Sequence, residues 1–363
     1  MEQRENIYPD LSAEEKNIIF ASRKFCGEDA EDLNSILNNC MKLVSSNILG
    51  SSIVTGAKYG EKTTENNFTI EDIYIGNRGR VKGGHCGLIS AINDDKNPRN
   101  ARGEIYINED FIRGIKSELG VENSTIYLSN IIVHEFLHGN QRIEAEKVAP
   151  NKIDNSRSGL VAPSVKGEKT KPSPEEKYKD VQDNKEGYAR MMLTEAASMT
   201  AGLTVCMQLC DEHNREAIMR HALQDIRDNG NVSETAIQKL EKALNERPQT
   251  TAEQQRHSLH LFKILVNGEM EYLRDNCGGR PLNITFKDNE HSLNLSYNES
   301  LFGDRNSFDR AIKFIDEFNK TRENPISKNP KQQQVDTPQN KENNQQEAIL
   351  NLAIFANQSR RIV

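Results

Sequence analysis

The sequence has little of the material that builds a large apolar core. Its 363 residues include no Trp, only 6% are aromatic, and 35% are apolar. The length still suffices for one large domain or two ordinary ones, so a buried core is expected. Stretches that are poor in apolar side chains cannot bury enough surface to offset the entropy lost on ordering. We therefore expect a globular centre interrupted by disordered segments.

Several classes of protein are excluded by what the chain lacks. Its 47 basic and 54 acidic residues give a net charge of -7, which provides no general attraction for nucleic acid or anionic lipid. No apolar run approaches the roughly 18 to 20 residues that span a bilayer, and the polar start MEQRENIYPD is unlike an export signal. We therefore expect a soluble cytoplasmic protein without nucleic-acid or membrane partners, with a leaderless secreted effector as the alternative.

Cysteine is also scarce. The chain has 6 cysteines, and none of them forms a C-x-x-C pair, which argues against a disulfide scaffold and against a zinc knuckle. Cys206 and Cys210 stand four positions apart on a predicted helix, beside Val205, Met207 and Leu209. These apolar neighbours favour buried reduced thiols over a pair of metal ligands.

Changes in composition along the chain predict its organisation. A Pro-, Lys-, Glu- and Ser-rich stretch without sustained periodicity indicates a disordered insertion, and a Gln/Asn/Lys/Pro stretch near the end indicates a linker. The predicted segments are an N-terminal helical segment (1–50), a core (51–220) with the disordered insertion (146–182), a helical lobe with a β-hairpin (221–320), the linker (321–347) and a short apolar segment (348–363).

Apolar periodicity predicts the type of each element. Short β-rich runs broken by Gly and Asn predict a small sheet formed by Ile53-Val54 and residues 68–75, 87–92 and 104–107. Two alternating runs predict a hairpin over 282–286 and 293–297. Helical spacing predicts a helix that begins at Ser12 and others over about 30–47, 108 to a stop at Gly120, 123–141, 185–246 with a break near 228–230, 251–275 and 306–319.

One predicted helix carries a pattern that is typical of a catalytic metal site. His134, Glu135 and His138 form the sequence H-E-x-x-H. Residues four apart on a helix are separated by about 40° and 6 Å, so both imidazoles can reach one ion, with Glu135 beside it. Zinc accepts such nitrogen ligands, and a water at its open position needs a carboxylate to take its proton. The rest of this helix is mostly apolar, so these polar groups are costly there unless they bind something.

A third metal ligand must come from elsewhere in the chain. Glu195 lies on a predicted helix in an apolar environment, where an unpaired carboxylate calls for a cation. The competing candidate is Glu144, ten positions after His134. A chain that turns back sharply after the helix normally needs Gly at position 141, where this sequence has Gln141. We therefore favour Glu195, whose other interpretation is an exposed residue of an amphipathic helix.

The segment IIVHEFLHGNQ, followed further along by LTEAAS, resembles the zincin metallopeptidases of the gluzincin type. The resemblance covers roughly 51 to 215. It implies an α+β fold: a small twisted mixed sheet that holds the substrate, an active-site helix with both histidines, and a mainly helical second lobe. It also implies that Glu195 completes the site from a second helix. Many gluzincins have an aspartate four residues after this glutamate to orient a histidine, whereas this chain has Met199.

The motif and the resemblance together predict a zinc-dependent metallopeptidase that hydrolyses a protein or peptide substrate. His134, His138 and Glu195 are predicted to bind Zn²⁺, with a water in the fourth position. Glu135 is predicted to act as general base and then as proton donor to the leaving amine.

Two questions stay open at this point. The alternative function is a catalytically inactive, zincin-like helical interaction protein that recruits a partner through its C-terminal segment. The residue that stabilises a developing oxyanion is also not identified. Tyr188, His213 and His221 are candidates, although ordinary surface roles fit each of them better.

Overall fold

The computed structural model describes residues 30–59, 69–75, 86–92, 101–107, 109–148 and 172–323. The chain divides into two units, Met1–Lys320 and Thr321–Val363, and the features discussed below belong to the first. The predicted helix at Ser12, most of the insertion and nearly all of the C-terminal segments lie outside the described residues.

The described residues form mainly helices. The three strands are β1 (Thr69–Ile75), β2 (Cys86–Ile92) and β3 (Ala101–Ile107). The helices are α1 (Ala30–Ser46), α2 (Ile48–Tyr59), α3 (Glu109–Val148), α4 (Pro174–Asp183), α5 (Lys185–Leu209), α6 (Arg215–Asn229), α7 (Glu234–Leu244), α8 (Thr251–Asn276), α9 (Glu290–Ser296), α10 (Glu299–Phe302) and α11 (Arg305–Glu323). No helix within these ranges combines the length and the apolar character that a membrane span requires.

Local sequence explains where several of these helices begin and end. Ser173 and Thr250 each form a capping box, which fixes the first turns of α4 and α8. The predicted stop at Gly120 is confirmed as a kink with φ 75° and ψ 173°, a conformation that glycine adopts at little cost. Helix α8 ends at Asn276, close to the predicted end at 275, and Gly278 and Gly279 follow it with φ values of 70° and 74°.

The predicted α+β class, with a zincin-like twisted sheet, is wrong. The strands are paired in the order β1-β3-β2, with β1 parallel and β2 antiparallel to β3. Each strand has only 7 residues, and Ile105 and Ile107 are the only strand residues whose side chains the structure describes. Ile53-Val54, predicted as a strand, lies within α2, where both residues are buried. The described core is built by helices packed on helices, so the protein is mainly helical.

The predicted hairpin over 282–297 is also wrong. Residues 290–296 form α9, because the side chain of Asn289 accepts a hydrogen bond from the amide of Ser292 and caps a helix. The first run is not a strand, and the amides of Phe286 and Lys287 donate to the buried carboxylate of Asp316. A side chain from α11 thus supplies the partner that a second strand was expected to provide.

Two further predictions are corrected in detail. The insertion is not wholly irregular, since α4 occupies its end. The helical zone 185–246 has the predicted break near Gly230, but it also has one after Cys210 that was not predicted. There the carboxylate of Asp211 accepts hydrogen bonds from the amides of His213 and Asn214, which competes with continuation of the helix.

Candidate metal centre

Helix α3 places both histidines of the H-E-x-x-H motif on one face. The Nε2 atoms of His134 and His138 lie 3.0 Å apart, and the rings meet edge to face with centroids 4.7 Å apart. His138 is 4% exposed, whereas the side chain of His134 is 20% exposed. The pair therefore presents two ring nitrogens to one point at the edge of the core.

Helix α5 brings Glu195 to the same point. Its Oε1 lies 3.4 Å from Nε2 of His138, and its Oε2 lies 3.6 Å from Nε2 of His134. One donor atom from each of the three residues lies within 4.8 Å of the others. The structure thus brings together the three residues that were predicted as metal ligands.

A close contact between α3 and α5 makes this convergence possible. Gly202 lies on α5 against Asn130 of α3, and a Cβ on Gly202 would come within 2.2 Å of the Asn130 carbonyl oxygen. Asn130 is one turn before His134, and Gly202 is two turns after Glu195. The absence of a side chain at Gly202 lets the two helix backbones approach closely next to the ligand cluster.

Two further side chains orient His138. Its Nδ1 lies 2.8 Å from Oε1 of Gln141 and 3.3 Å from Oγ of Ser198. Gln141 is held in turn, because its Nε2 donates to the carbonyl of Thr194 at 3.1 Å. The amide nitrogen of Gln141 donates, so its Oε1 accepts a hydrogen bond from Nδ1 of His138. When the ring loses its second proton, Nε2 is therefore the nitrogen that can coordinate a metal. This arrangement is common for histidines that bind metals.

The three candidate ligands also determine each other's charge in the metal-free protein. Burial disfavours the charged form of His138, but the charge and hydrogen bond of Glu195, the charge of Glu135 and the hydrogen bond of Gln141 together raise the pKa of His138 to about 9. Burial likewise acts against the charge of Glu195, yet the charge and hydrogen bond of His138 and the charge of His134 together lower the pKa of Glu195 to about 2. Burial and the neighbouring His138 charge lower the pKa of His134 to about 4. At neutral pH the cluster therefore holds one ion pair and one neutral imidazole.

A cavity of about 630 Å³ opens beside the cluster. His134, Glu135 and Glu195 line it, together with apolar side chains such as Met191 and Leu203. Glu135 is 7% exposed, so its carboxylate is largely shielded from bulk water. A volume of this size is in the range of ordinary ligand pockets. The cavity thus combines two of the three candidate ligands, a candidate base and space for part of a substrate.

The donor set fits a zinc ion. Tetrahedral zinc with nitrogen ligands at about 2.0 to 2.1 Å holds those nitrogens about 3.3 Å apart. The two imidazole nitrogens lie 3.0 Å apart, which is close to this value. Glu195 approaches them with both of its oxygens, one 3.4 Å from Nε2 of His138 and the other 3.6 Å from Nε2 of His134. Two imidazoles and one carboxylate also match a catalytic ligand set that leaves one position open.

The other predicted candidates lie elsewhere. Helix α3 continues through Glu144 to Val148, so the chain does not turn back there, and residue 144 is roughly 15 Å along the axis from His134. Tyr188 lines the cavity, but its hydroxyl donates to Asp180 and accepts from Lys177.

The two remaining oxyanion candidates are not among the residues that line this cavity. His221 lies 3.0 Å from Glu118 and packs on Tyr127, and the amide of His213 donates to Asp211. None of the three oxyanion candidates therefore has a free donor aimed at the cluster in the structure.

Sequence reasoning missed three side chains of the site. Gln141 lies three positions after His138 on the same helix face, a spacing that was available as a signal. Ser198 lies three positions after Glu195, which is the same signal on α5. Glu269 lies on α8, far away in sequence, and no pattern connected it to the motif. Only the packing of α8 against α5 brings it to the cavity.

Glu269 is unusual among the residues that line the cavity. It is 6% exposed, and its Oε1 has no hydrogen-bond partner among the described residues. Burial and the charge of Glu195 raise the pKa of Glu269 well above its ordinary value. An ionised Glu269 is therefore costly in the empty cavity, and a cationic group beside it would reduce that cost.

Comparison with known proteins adds nothing to this description, since no protein-family model, curated protein or solved structure matches the chain.

Proposed function

We propose that this protein is a zinc-dependent peptidase whose metal ligands are His134, His138 and Glu195. The observation that supports this most strongly is the convergence of these three side chains, from two separate helices, at the edge of a cavity. A two-histidine, one-carboxylate set also binds iron in some enzymes. The presence of Glu135 in the same cavity favours hydrolysis, because this reaction needs a base beside the metal.

When bound, zinc would supply an activated water and would polarise the scissile carbonyl. The chain's own residues supply the rest. Glu135 accepts the proton that the attacking water loses, and it then donates this proton to the leaving amine. Gln141 and Ser198 hold His138 in the tautomer that leaves Nε2 free. Apolar side chains such as Met191 and Leu203 form part of the cavity wall, which strengthens the electrostatic interactions beside them.

The Glu135→Gln variant tests this proposal. We expect it to keep about one zinc per chain and to lose peptide hydrolysis by roughly 100-fold or more, since it retains size and hydrogen bonding but cannot take a proton. Metal content is measured by mass spectrometry, and hydrolysis is measured by liquid chromatography of a random hexapeptide pool. The matched control is Glu118→Gln, a carboxylate on the same helix that does not line the cavity.

Two results would contradict the proposal. The first is purified protein that neither contains zinc nor binds it when zinc is added. The second is zinc-loaded wild-type protein that leaves the whole peptide pool intact, which would support the alternative of a metal-holding interaction protein. Glu195→Gln provides an independent check, because removal of one ligand should abolish stoichiometric zinc binding while the helices remain folded.

A further inference from the structure

The described cavity wall carries more carboxyl groups than a metal site needs. Its acidic residues are Glu135, Glu195, Asp225 and Glu269. Glu195 is assigned to the metal, and Glu135 is assigned to proton transfer. Asp225 accepts hydrogen bonds from Tyr127 and Asn229, at 2.7 Å in each case. Glu269 is left without a role: the proposed chemistry does not use it, and its Oε1 accepts no described hydrogen bond.

The basic group of the wall does not compensate Glu269. Among the described residues that line the cavity, Lys177 is the only lysine, and none is an arginine. Its Nζ donates to the Tyr188 hydroxyl at 2.6 Å and lies 3.9 Å from the carboxylate of Asp180. Lys177 therefore already has partners on α4 and α5, and no ion pair joins it to Glu269 within the described residues.

A buried carboxylate with an unpartnered oxygen is expensive unless something binds to it. Structural roles for Glu269 are poorly supported, since Oε1 caps no helix and accepts no described hydrogen bond. Glu271, two positions further along α8, is also buried but has a hydrogen-bond partner. Glu271 is 8% exposed on the same helix, but it accepts a hydrogen bond from Ser233 at 2.6 Å and does not line the cavity.

We propose that Glu269 is a specificity-determining residue that binds a cationic amine or guanidinium group of the peptide substrate inside the cavity. This inference rests on the proposed peptidase function, and it names the class of substrate. The cation is either the free amino terminus of the peptide or a Lys or Arg side chain, because both provide N–H donors with a positive charge. Glu269 lines the same cavity as His134 and Glu195, so a single short peptide can contact Glu269 and also reach the metal position.

Peptide binding to catalytically inactive protein tests the inference without turnover. The probes are random hexapeptide pools with a fluorophore at the carboxyl end, and all measurements use zinc-loaded Glu135→Gln. One pool has free amino termini, a second is acetylated, a third has norleucine in place of Lys and Arg, and a fourth combines both changes. We expect the uncharged fourth pool to bind at least about tenfold more weakly than the first, as a buried charge-assisted hydrogen bond requires. The second and third pools identify the source of the cation.

Two variants determine whether Glu269 causes this preference. Glu269→Gln, added to Glu135→Gln, should bind the charged and uncharged pools equally, whereas Glu271→Gln in the same background should keep the preference. Glu269→Gln keeps the side-chain volume and removes only the group that can ionise, so a melting curve should show it folded. Equal binding of all pools to the Glu135→Gln protein, no binding of any pool, or a preference that survives Glu269→Gln would overturn the inference.

Failure of this inference and failure of the proposed function give different results. If wild-type protein cleaves the pools in a zinc-dependent manner but without preference for charge, only the role of Glu269 is wrong. If it cleaves none of them, the peptidase proposal is wrong, and the binding measurements still decide whether Glu269 recognises a cation.

Discussion

At the scale of single residues, the orientation of His138 depends on Gln141. The Oε1 of Gln141 fixes the proton on Nδ1, and the Gln141 amide is itself held by the Thr194 carbonyl on α5. The same glutamine thus links the ligand-bearing helices and selects the histidine tautomer. Met199 occupies the position where the family resemblance suggested an orienting aspartate, so this chain uses different residues for that purpose.

We expect Gln141→Leu to weaken zinc binding by roughly 10- to 100-fold, because loss of an orienting hydrogen bond lowers metal affinity by this order. The measurement is a competition titration against a chelator of known affinity. The matched control is Gln182→Leu, which removes a glutamine that donates to the Leu282 carbonyl away from the cavity. Equal zinc affinity in Gln141→Leu and wild type would show that Gln141 has no positioning role.

The charges of the cluster predict how zinc binding depends on pH. In the metal-free protein the pKa of His138 is raised to about 9, and the pKa of His134 is lowered to about 4, so between these values His138 carries one proton that must leave. Zinc affinity should therefore rise about tenfold per pH unit across this window and level off above it, with one proton released per zinc. Titration calorimetry at neutral pH in buffers of different ionisation enthalpy measures this proton. Binding without proton release would contradict the prediction.

At the scale of elements, the site depends on how closely α3 and α5 approach. Gly202 has its closest contact with the Asn130 backbone, which cannot move aside as a flexible side-chain end could. Gly114 on α3 is different, since a Cβ there would have no atom within 4 Å. A comparison of alanine variants at these two positions therefore distinguishes the need for close helix packing from the general cost of glycine in a helix.

We expect Gly202→Ala to destabilise the protein by about 1 to 3 kcal/mol through overpacking and to weaken zinc binding, because the helices must separate beside Glu195. Gly114→Ala should stabilise the protein by about 0.5 to 1 kcal/mol and leave zinc binding unchanged. Denaturant unfolding and chelator competition measure the two quantities. Normal stability of Gly202→Ala would mean that the helix contact is looser than the structure indicates.

At the scale of the whole molecule, the metal would connect helices that are far apart in sequence. His134 and His138 belong to α3, and Glu195 belongs to α5, which follows the long segment between them. A ligand that binds only the folded state adds to the free energy of unfolding in proportion to the logarithm of its concentration over its dissociation constant. The proposed zinc ion would therefore contribute to stability as well as to reactivity.

We expect removal of zinc by a chelator to lower the melting temperature by roughly 5 to 10 °C, which corresponds to a ligand present at about 100 to 1,000 times its dissociation constant. Differential scanning calorimetry with and without the chelator measures this change. Glu195→Gln is the control, and its melting temperature should not respond to the chelator. A wild-type melting temperature that stays the same after complete loss of zinc would contradict this prediction.

The sequence by itself determined the local features of this protein. His134 and His138 share one face of a helix because they are four residues apart and the helix repeats every 3.6 residues. Stops such as Gly120 follow from backbone conformations that glycine favours. Capping boxes at Ser173 and Thr250 likewise depend on residues that are neighbours in the chain. These features were predictable because each depends on a few consecutive residues.

Only the tertiary structure decided which distant residues meet. The apolar pair Ile53-Val54 suits a strand or a buried helix equally well, and its packing within α2 settled the choice. Asp316 gave the 286–287 segment a partner that no local pattern could supply. The approach of Gly202 to Asn130, the distances from Glu195 to the two imidazoles and the placement of Glu269 in the cavity arise from the packing of α3, α5 and α8. Packing sums many contacts between residues far apart in sequence, and no local pattern records that sum.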